Sequence, residues 1–181
     1  MKIGTATNPP APFLTAIFDS WSSLTTTLSQ NCEQCTNGIN LELLYDPQVS
    51  PTAVAQADVD NTTDGYLFQG NMYTDNVCLG DGDVHTTVCL DNQKFYTVGA
   101  LIAQDWATPL TEYQDITTVF GLGHPPNKSD TDSISFIERA FANGLIPNNT
   151  YSIQFDTNLE MDPFYFDESH LTLGGYVESD F

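Results

Sequence analysis

Short apolar or alternating segments recur along the chain, separated by groups of Gly, Pro, Asn and Asp residues. Alternation of apolar and polar residues with a period of two indicates β-strands, and the intervening residues favour turns. Strands are predicted over residues 12–18, 22–28, 66–79, 84–90, 95–103, 117–122, 151–155 and 170–176. For the Ser/Thr run at 22–27 the expected strand is half exposed. The pattern therefore predicts a mostly β fold, sandwich-like or barrel-like.

One segment, residues 133–147, has a helical pattern. Its apolar residues lie at helical spacing: Phe136, Ile137, Ala140 and Phe141. Ser135 and Glu138 have the spacing of a capping box, and Gly144 lies where a helix would end. The sequence shows no internal repeat and no linker, so residues 1–181 are predicted to form a single domain with one short helix.

The charge of the chain is strongly negative. The 181 residues include 24 Asp and Glu but only 4 Lys and Arg, which gives a formal net charge of -20 at pH 7. Such a charge repels nucleic acids and anionic membrane surfaces, so neither is expected as a partner. No apolar run approaches the roughly 18–20 residues that span a bilayer. The first ten residues lack an apolar signal core, so a processed or excised chain is expected.

The four cysteines form two close pairs, Cys32 with Cys35 and Cys78 with Cys89. The simplest interpretation is two local disulfides, and a hairpin turn at 80–83 would bring Cys78 and Cys89 opposite one another. Cys32 and Cys35 also match a redox CxxC or half of a zinc site. The sequence has neither a second ligand pair at zinc spacing nor a βαβ context, which favours the structural disulfide.

Neither a metal site nor a cofactor is predicted. His85, His124 and His170 are scattered along the chain, and Asp81-Gly82-Asp83 lacks the remaining ligands of a calcium loop.

Paired cysteines and glycosylation motifs indicate a compartment outside the cytosol. N-x-S/T motifs occur at Asn61, Asn127 and Asn148. Together with the expected disulfides they predict a secreted protein, or one of the lysosomal or vacuolar lumen.

Six segments, in order, resemble the amino-terminal lobe of pepsin-like aspartic endopeptidases. IGTATNPPAPFLTAIFDSWSS (3–23) resembles the Ile-Gly-Thr strand that leads to Asp-Thr-Gly-Ser-Ser. The second segment, residues 32–52, contains CEQC and LLYDPQVSPT and resembles the small disulfide loop with the Tyr-Asp-Pro-x-x-Ser-x-Thr stretch that follows it. TDGYLFQGNMYTDNVCLG is similar to the flap hairpin and its next strand. The remaining matches are TTVFGLG, the helix-turn-strand segment DSISFIERAFANGLIPNNTYSIQF, and LTLGGYVESDF.

The resemblance implies a pepsin-like acid protease lobe over residues 1–181, barrel-like, with Asp19 as a catalytic carboxylate. It implies that Ser20 braces the active-site loop and that Ser22 hydrogen-bonds to the carboxylate. It places a substrate-binding flap at four positions, Thr62, Asp64, Gly65 and Tyr66. The implied activity is peptide hydrolysis by a water activated between two Asp residues. The second Asp would come from a carboxy-terminal lobe or a second subunit, and a peptide or protein would be the substrate.

Three departures from the family pattern leave other hypotheses open. In the flap, Thr62 lies where the family has the Tyr that covers the substrate, and Tyr66 lies four positions further on. Trp21 replaces the Gly of Asp-Thr-Gly, and an indole there is expected to distort the loop or fill the cleft. Thr117 and Thr118 replace the Asp-Gly that precedes the apolar-apolar-Gly of residues 119–121. The chain is therefore either an endopeptidase lobe or a secreted, non-catalytic relative that binds peptide or protein. In a third hypothesis Asp19 is an ordinary loop residue of a structural β-domain.

Overall fold

The computed structural model describes residues 1–5, 14–32, 44–61, 68–80, 87–101, 116–123, 135–154 and 170–176. This part of the chain is mostly β, as the sequence predicts, with a short helix. The chain divides into two compact units, Met1–Phe136 and Ile137–Phe181, which are described separately. The single pepsin-like lobe over residues 1–181 stays a prediction.

The first unit contains the strands β1 (Lys2–Ile3), β2 (Thr15–Asp19), β3 (Thr26–Leu28), β4 (Val54–Asn61), β5 (Phe68–Leu79), β6 (Val88–Leu101) and β7 (Ile116–Gly121). These strands form one curled, half-barrel sheet in the order β1-β5-β6-β3-β7-β2, with β4 also paired to β5. β5 and β6 form its longest antiparallel pair. The disulfide Cys78–Cys89 joins directly opposed residues of this pair and confirms the predicted bridge.

The strand β6 differs from the two separate strands predicted at 84–90 and 95–103. It runs without interruption from Val88 to Leu101, and a bulge interrupts its pairing with β5 between Asp75 and Val77. Asn92, in this bulge, has a φ of 54°. Asn tolerates this left-handed conformation better than most residues, so the gap between the two predicted strands corresponds to a bulge and not to a strand end. β1 and β4 were not predicted.

The half-exposed strand expected at 22–27 is wrong, because the structure buries it. Ser22, Ser23, Thr25, Thr26 and Thr27 are all buried. β3 lies inside the sheet, parallel to β6 and antiparallel to β7, so both of its edges are covered. The Thr27 hydroxyl is hydrogen-bonded across the sheet, because Thr27 Oγ1 lies 2.9 Å from Thr118 Oγ1. Internal pairing of this kind offsets the cost of burying polar groups.

Aromatic rings form the centre of the core of the first unit. Phe120 is fully buried and meets Phe136 edge-on, with ring centroids 5.3 Å apart. Phe18 contacts the same Phe120 ring at 6.0 Å. A second contact, 5.1 Å between Tyr45 and Phe95, lies on the β6 part of the sheet. Edge-to-face packing suits the charge distribution of aromatic rings and adds to the gain from their burial.

The helix α1 (Phe136–Ala142) begins at the last residue of the first unit. It follows Ser135 directly and ends at Ala142, two residues before Gly144, whose φ of +69° is that of a helix stop, as the sequence predicts. Gly144 N–H donates to the carbonyl of Phe141, and Leu145 N–H donates to the carbonyl of Ala140, both at 2.9 Å. This pair of bonds is a Schellman motif, which satisfies the last helical carbonyls.

The second unit also contains the antiparallel pair β8 (Tyr151–Gln154) and β9 (His170–Leu173). Gly174, with a φ of +81°, ends this pair and donates its N–H to the carbonyl of Thr150 at 2.7 Å. In the part of the chain that the structure describes, no helix is both long and apolar enough to cross a membrane.

Candidate functional site

The strand β7 lies between β2 and β3 and hydrogen-bonds to both. β7 is parallel to β2 and antiparallel to β3. The loop at 20–25 connects β2 to β3 and passes over the carboxyl end of β7. Asp19 is the last residue of β2 and pairs in register with Gly121, the last residue of β7. Asp19 therefore lies where β2 enters the loop at 20–25. The strands at both ends of this loop, β2 and β3, are paired with β7.

Two glycines of the β7 end allow close approach to this loop. A Cβ atom on Gly121 would lie 2.6 Å from the backbone N and O of Leu24. A Cβ atom on Gly123 would lie 2.7 Å from the carbonyl oxygen of Trp21. Real Cβ atoms do not approach backbone this closely, so both positions require Gly. The apolar-apolar-Gly segment at 119–121 thus packs directly behind the Asp19 loop.

Hydrogen bonds hold the backbone of the loop. Leu122 N–H donates to the carbonyl of Asp19, and Gly123 N–H donates to the carbonyl of Ser22, both at 2.8 Å. Within the loop, Trp21 N–H donates to Asp19 Oδ1 at 2.8 Å and Leu24 N–H donates to Ser22 Oγ at 3.1 Å. These bonds fix the backbone of the loop and the position of the Asp19 carboxylate.

The loop at 20–25 contains both buried polar residues and residues that are exposed to solvent. Ser22 is buried, Ser20 is exposed and Asp19 is half-buried. Trp21 is 83% exposed and lies on the outer surface of the loop. The distortion or filling expected from its indole stays a prediction.

The chemistry available at this loop is that of one carboxylate. A single carboxylate can accept or donate a proton, but peptide hydrolysis by an activated water needs one acid and one base together. Among the described residues, no group of three or more His, Cys, Asp and Glu side chains could hold a metal ion.

Several predicted site residues lie outside the described residues: Thr62, Asp64, Gly65, Tyr66, Cys35 and Asn127. The flap therefore stays a prediction. Cys32 is buried and disulfide-bonded, as expected from the sequence. Asn61 is the last residue of β4. Asn148 is exposed, and its side-chain amide donates to the carbonyl of Gly174 at 2.9 Å.

The sequence did not indicate a buried polar cluster around Asp75, which is fully buried in β5. Tyr45 OH donates to Asp75 Oδ2 at 2.9 Å, Thr52 Oγ1 donates to Asp75 Oδ1, and Asn76 N–H donates to the same Oδ1 at 2.7 Å. Burial, and then the charge of Asp75, raise the pKa of Tyr45 above its usual value. The cluster joins β5 to the segment 45–52. In the sequence, its only indication is the spacing of Tyr45 and Thr52 within LLYDPQVSPT (43–52).

Hydroxyl groups extend this cluster to the amino-terminal strand. Thr5 Oγ1 lies 2.8 Å from Thr52 Oγ1, and a Cβ atom on Gly4 would lie 2.8 Å from Ser50 Oγ. The Ile-Gly-Thr start of the chain is therefore fixed against the same buried carboxylate.

Comparison of the chain with protein-family models and with curated proteins finds no match.

Proposed function

We propose that the chain is a pepsin-like aspartic endopeptidase lobe of the secretory or lysosomal/vacuolar lumen, in which Asp19 supplies one of two catalytic carboxylates. The observation that carries the proposal is the position of Asp19 at the end of β2, directly before a loop that packs on Gly121 of β7 and on Gly123, two residues beyond it. The order of six sequence segments supports it independently.

In this proposal Asp19 shares one proton with a second Asp, from a carboxy-terminal lobe or a second subunit, at a distance of about 3 Å. The ionised carboxylate takes a proton from a water, which attacks the scissile carbonyl. The protonated carboxylate donates to the carbonyl oxygen. Trp21 N–H holds the Asp19 carboxylate in position, because it donates to Asp19 Oδ1 at 2.8 Å.

The experiment is cleavage of denatured casein at acid pH by the full-length protein, with and without pepstatin. Asp19→Asn is expected to abolish turnover. Asp46→Asn is a matched control. Asp46 Oδ1 accepts the backbone N–H of Gln48 at 2.8 Å, just as Asp19 Oδ1 accepts the backbone N–H of Trp21 at 2.8 Å. Both variants keep the turn and lose one charge. Equal turnover in the two variants would rule out a catalytic role for Asp19.

A second candidate function is binding of a peptide or protein without turnover. It is favoured by Trp21, whose side chain is 83% exposed two residues after Asp19, where the family has Gly. This function predicts peptide retention at acid pH that Asp19→Asn leaves unchanged, with no pepstatin-sensitive cleavage.

A further inference from the structure

The disulfide Cys78–Cys89 lies on the outer face of the sheet and not in the core. Val77 and Leu90, the neighbours of the two cysteines in β5 and β6, are buried. Successive residues of a strand point to opposite faces, so the two cysteines point away from the core. Cys89 is exposed and Cys78 is half-buried. A thiol in solution therefore reaches the sulfur of Cys89 more easily than that of Cys78.

The disulfide can open without the loss of backbone hydrogen bonds between its two strands. Gly4 N–H donates to the carbonyl of Asn76 at 2.8 Å, so the backbone groups of Asn76 face β1. Because alternate residues of a strand point their N–H and C=O groups to the same side, those of Cys78 also face β1 and not β6. The disulfide joins β5 to β6 at this position, and the residue pairs on either side of it supply the hydrogen bonds. We therefore expect the folded protein to keep its β5–β6 pairing when the disulfide opens.

A lysine lies in the same row of the sheet as the disulfide. Lys2 of β1 is directly opposite Cys78, so Lys2, Cys78 and Cys89 form one row across three neighbouring strands. Side chains that are directly opposite project from the same face, with Cβ atoms about 5 Å apart. Lys2 is half-buried, and it is one of only 4 Lys and Arg residues in a chain of net charge -20. The row thus places a positive charge next to Cys78, at the less exposed end of the disulfide.

Exposure and charge make the two sulfurs unequal in thiol–disulfide exchange. In this reaction a thiolate attacks one sulfur of the disulfide, and the other sulfur leaves as a thiolate. A neighbouring ammonium group stabilises a thiolate, so Cys78 is the better leaving group. Cys89 is also the more accessible sulfur. Attack on Cys89 with departure of Cys78 is therefore favoured over the opposite direction.

We propose that Cys78–Cys89 is a site of reversible thiol exchange, at which a small thiol becomes attached to Cys89. The thiolate of the small thiol attacks Cys89 Sγ, the S–S bond breaks, and its electron pair remains on Cys78 Sγ next to Lys2. The products are a mixed disulfide on Cys89 and a thiolate on Cys78. Attack by Cys78 on the mixed disulfide reverses the step. A second small thiol instead attacks the small-thiol sulfur, releases the oxidised small disulfide and leaves both cysteines reduced. This exchange is independent of the peptidase proposal.

The first test identifies the sulfur that is attacked. The full chain is treated with cysteamine without denaturant, free thiols are blocked with iodoacetamide, and the peptides are identified by mass spectrometry. Circular dichroism checks that the protein stays folded. We expect cysteamine on Cys89 and the blocking group on Cys78. Absence of any adduct on the folded protein, or an adduct mainly on Cys78, would overturn the proposal.

The second test measures the contribution of Lys2 to the rate of this exchange. The thiolate form of cysteamine also carries an ammonium group and has no net charge, so attraction of the reagent to Lys2 does not contribute. Lys2→Gln is expected to slow the appearance of the Cys89 adduct about threefold, because Cys78 becomes a poorer leaving group. Lys94→Gln is the matched control, since it removes the same charge from β6 opposite Thr74, and it should leave the rate unchanged. Equal rates in the two variants would overturn the role of Lys2 and with it the proposal.

Discussion

Gly121→Ala tests the packing of β7 behind the Asp19 loop. The added Cβ would lie 2.6 Å from Leu24 N, Leu24 O and Ser23 C, which are all backbone atoms. An ordinary contact is about 3.4 Å or more, so the loop backbone must move by roughly 0.8 Å. Overpacking of a well-packed site costs about 1–3 kcal/mol, and the contact with rigid backbone places Gly121→Ala near about 3 kcal/mol.

The free energy of unfolding is measured by urea titration, and the thermal midpoint by calorimetry. A loss of about 3 kcal/mol corresponds to a fall of roughly 6–12 °C in a domain of this size. Gly99→Ala is the matched control in β6 of the same sheet, because its Cβ would meet its nearest atom, Gln69 O, at 3.4 Å. A Gly121→Ala protein within about 0.5 kcal/mol of the Gly99→Ala protein would refute the packing derived for the loop.

Three further predictions concern the rest of the first unit. Tyr45→Phe removes the hydroxyl that donates to buried Asp75, and we expect a loss of about 2 kcal/mol in a urea titration at neutral pH. Because the pKa of Tyr45 is raised in the folded state, the contribution of the Tyr45 hydroxyl to stability is present below about pH 10 and is lost as the pH rises further. Alkaline destabilisation should therefore be smaller in Tyr45→Phe than in the wild type. Equal pH profiles of the two proteins would contradict this. Asn92→Val should lower stability by about 1–2 kcal/mol while Asn92→Gly stays close to the wild type, because residue 92 has a φ of 54°; equal values for the two variants would show that the bulge does not need this conformation. Replacing Cys78 and Cys89 together by Ser should cost about 2–3 kcal/mol, for a sequence separation of 11 residues, and the loss should vanish when both proteins are measured under reducing conditions.

The sequence predicted the parts of the fold that depend on local pattern. Alternation indicated β2 and β7 to within a few residues, and the capping signals placed α1 between Ser135 and Gly144. Alternation did not reveal that β3 is buried, because burial of Thr26 and Thr27 depends on β6 and β7, which are distant in sequence.

The site was predicted only in part, for the same physical reason. The resemblance indicated Asp19 and the glycine at 121, and the structure brings them into register. The exposure of the Trp21 side chain could not be predicted, because it depends on how the loop packs against Gly121 and Gly123, which are about 100 residues away in sequence. The cluster at Asp75 was also missed, because its members come from segments that are 23 and 30 residues away from it.

The central claim is that the loop between β2 and β3 presents Asp19 as one half of an endopeptidase pair. The most direct measurement is pepstatin-sensitive turnover of a peptide by the full-length protein at acid pH, comparing the wild type with Trp21→Gly. The account predicts turnover that rises in Trp21→Gly, because the family Gly opens the space beside the carboxylate. Absence of turnover from both proteins, each shown to be folded, would contradict it.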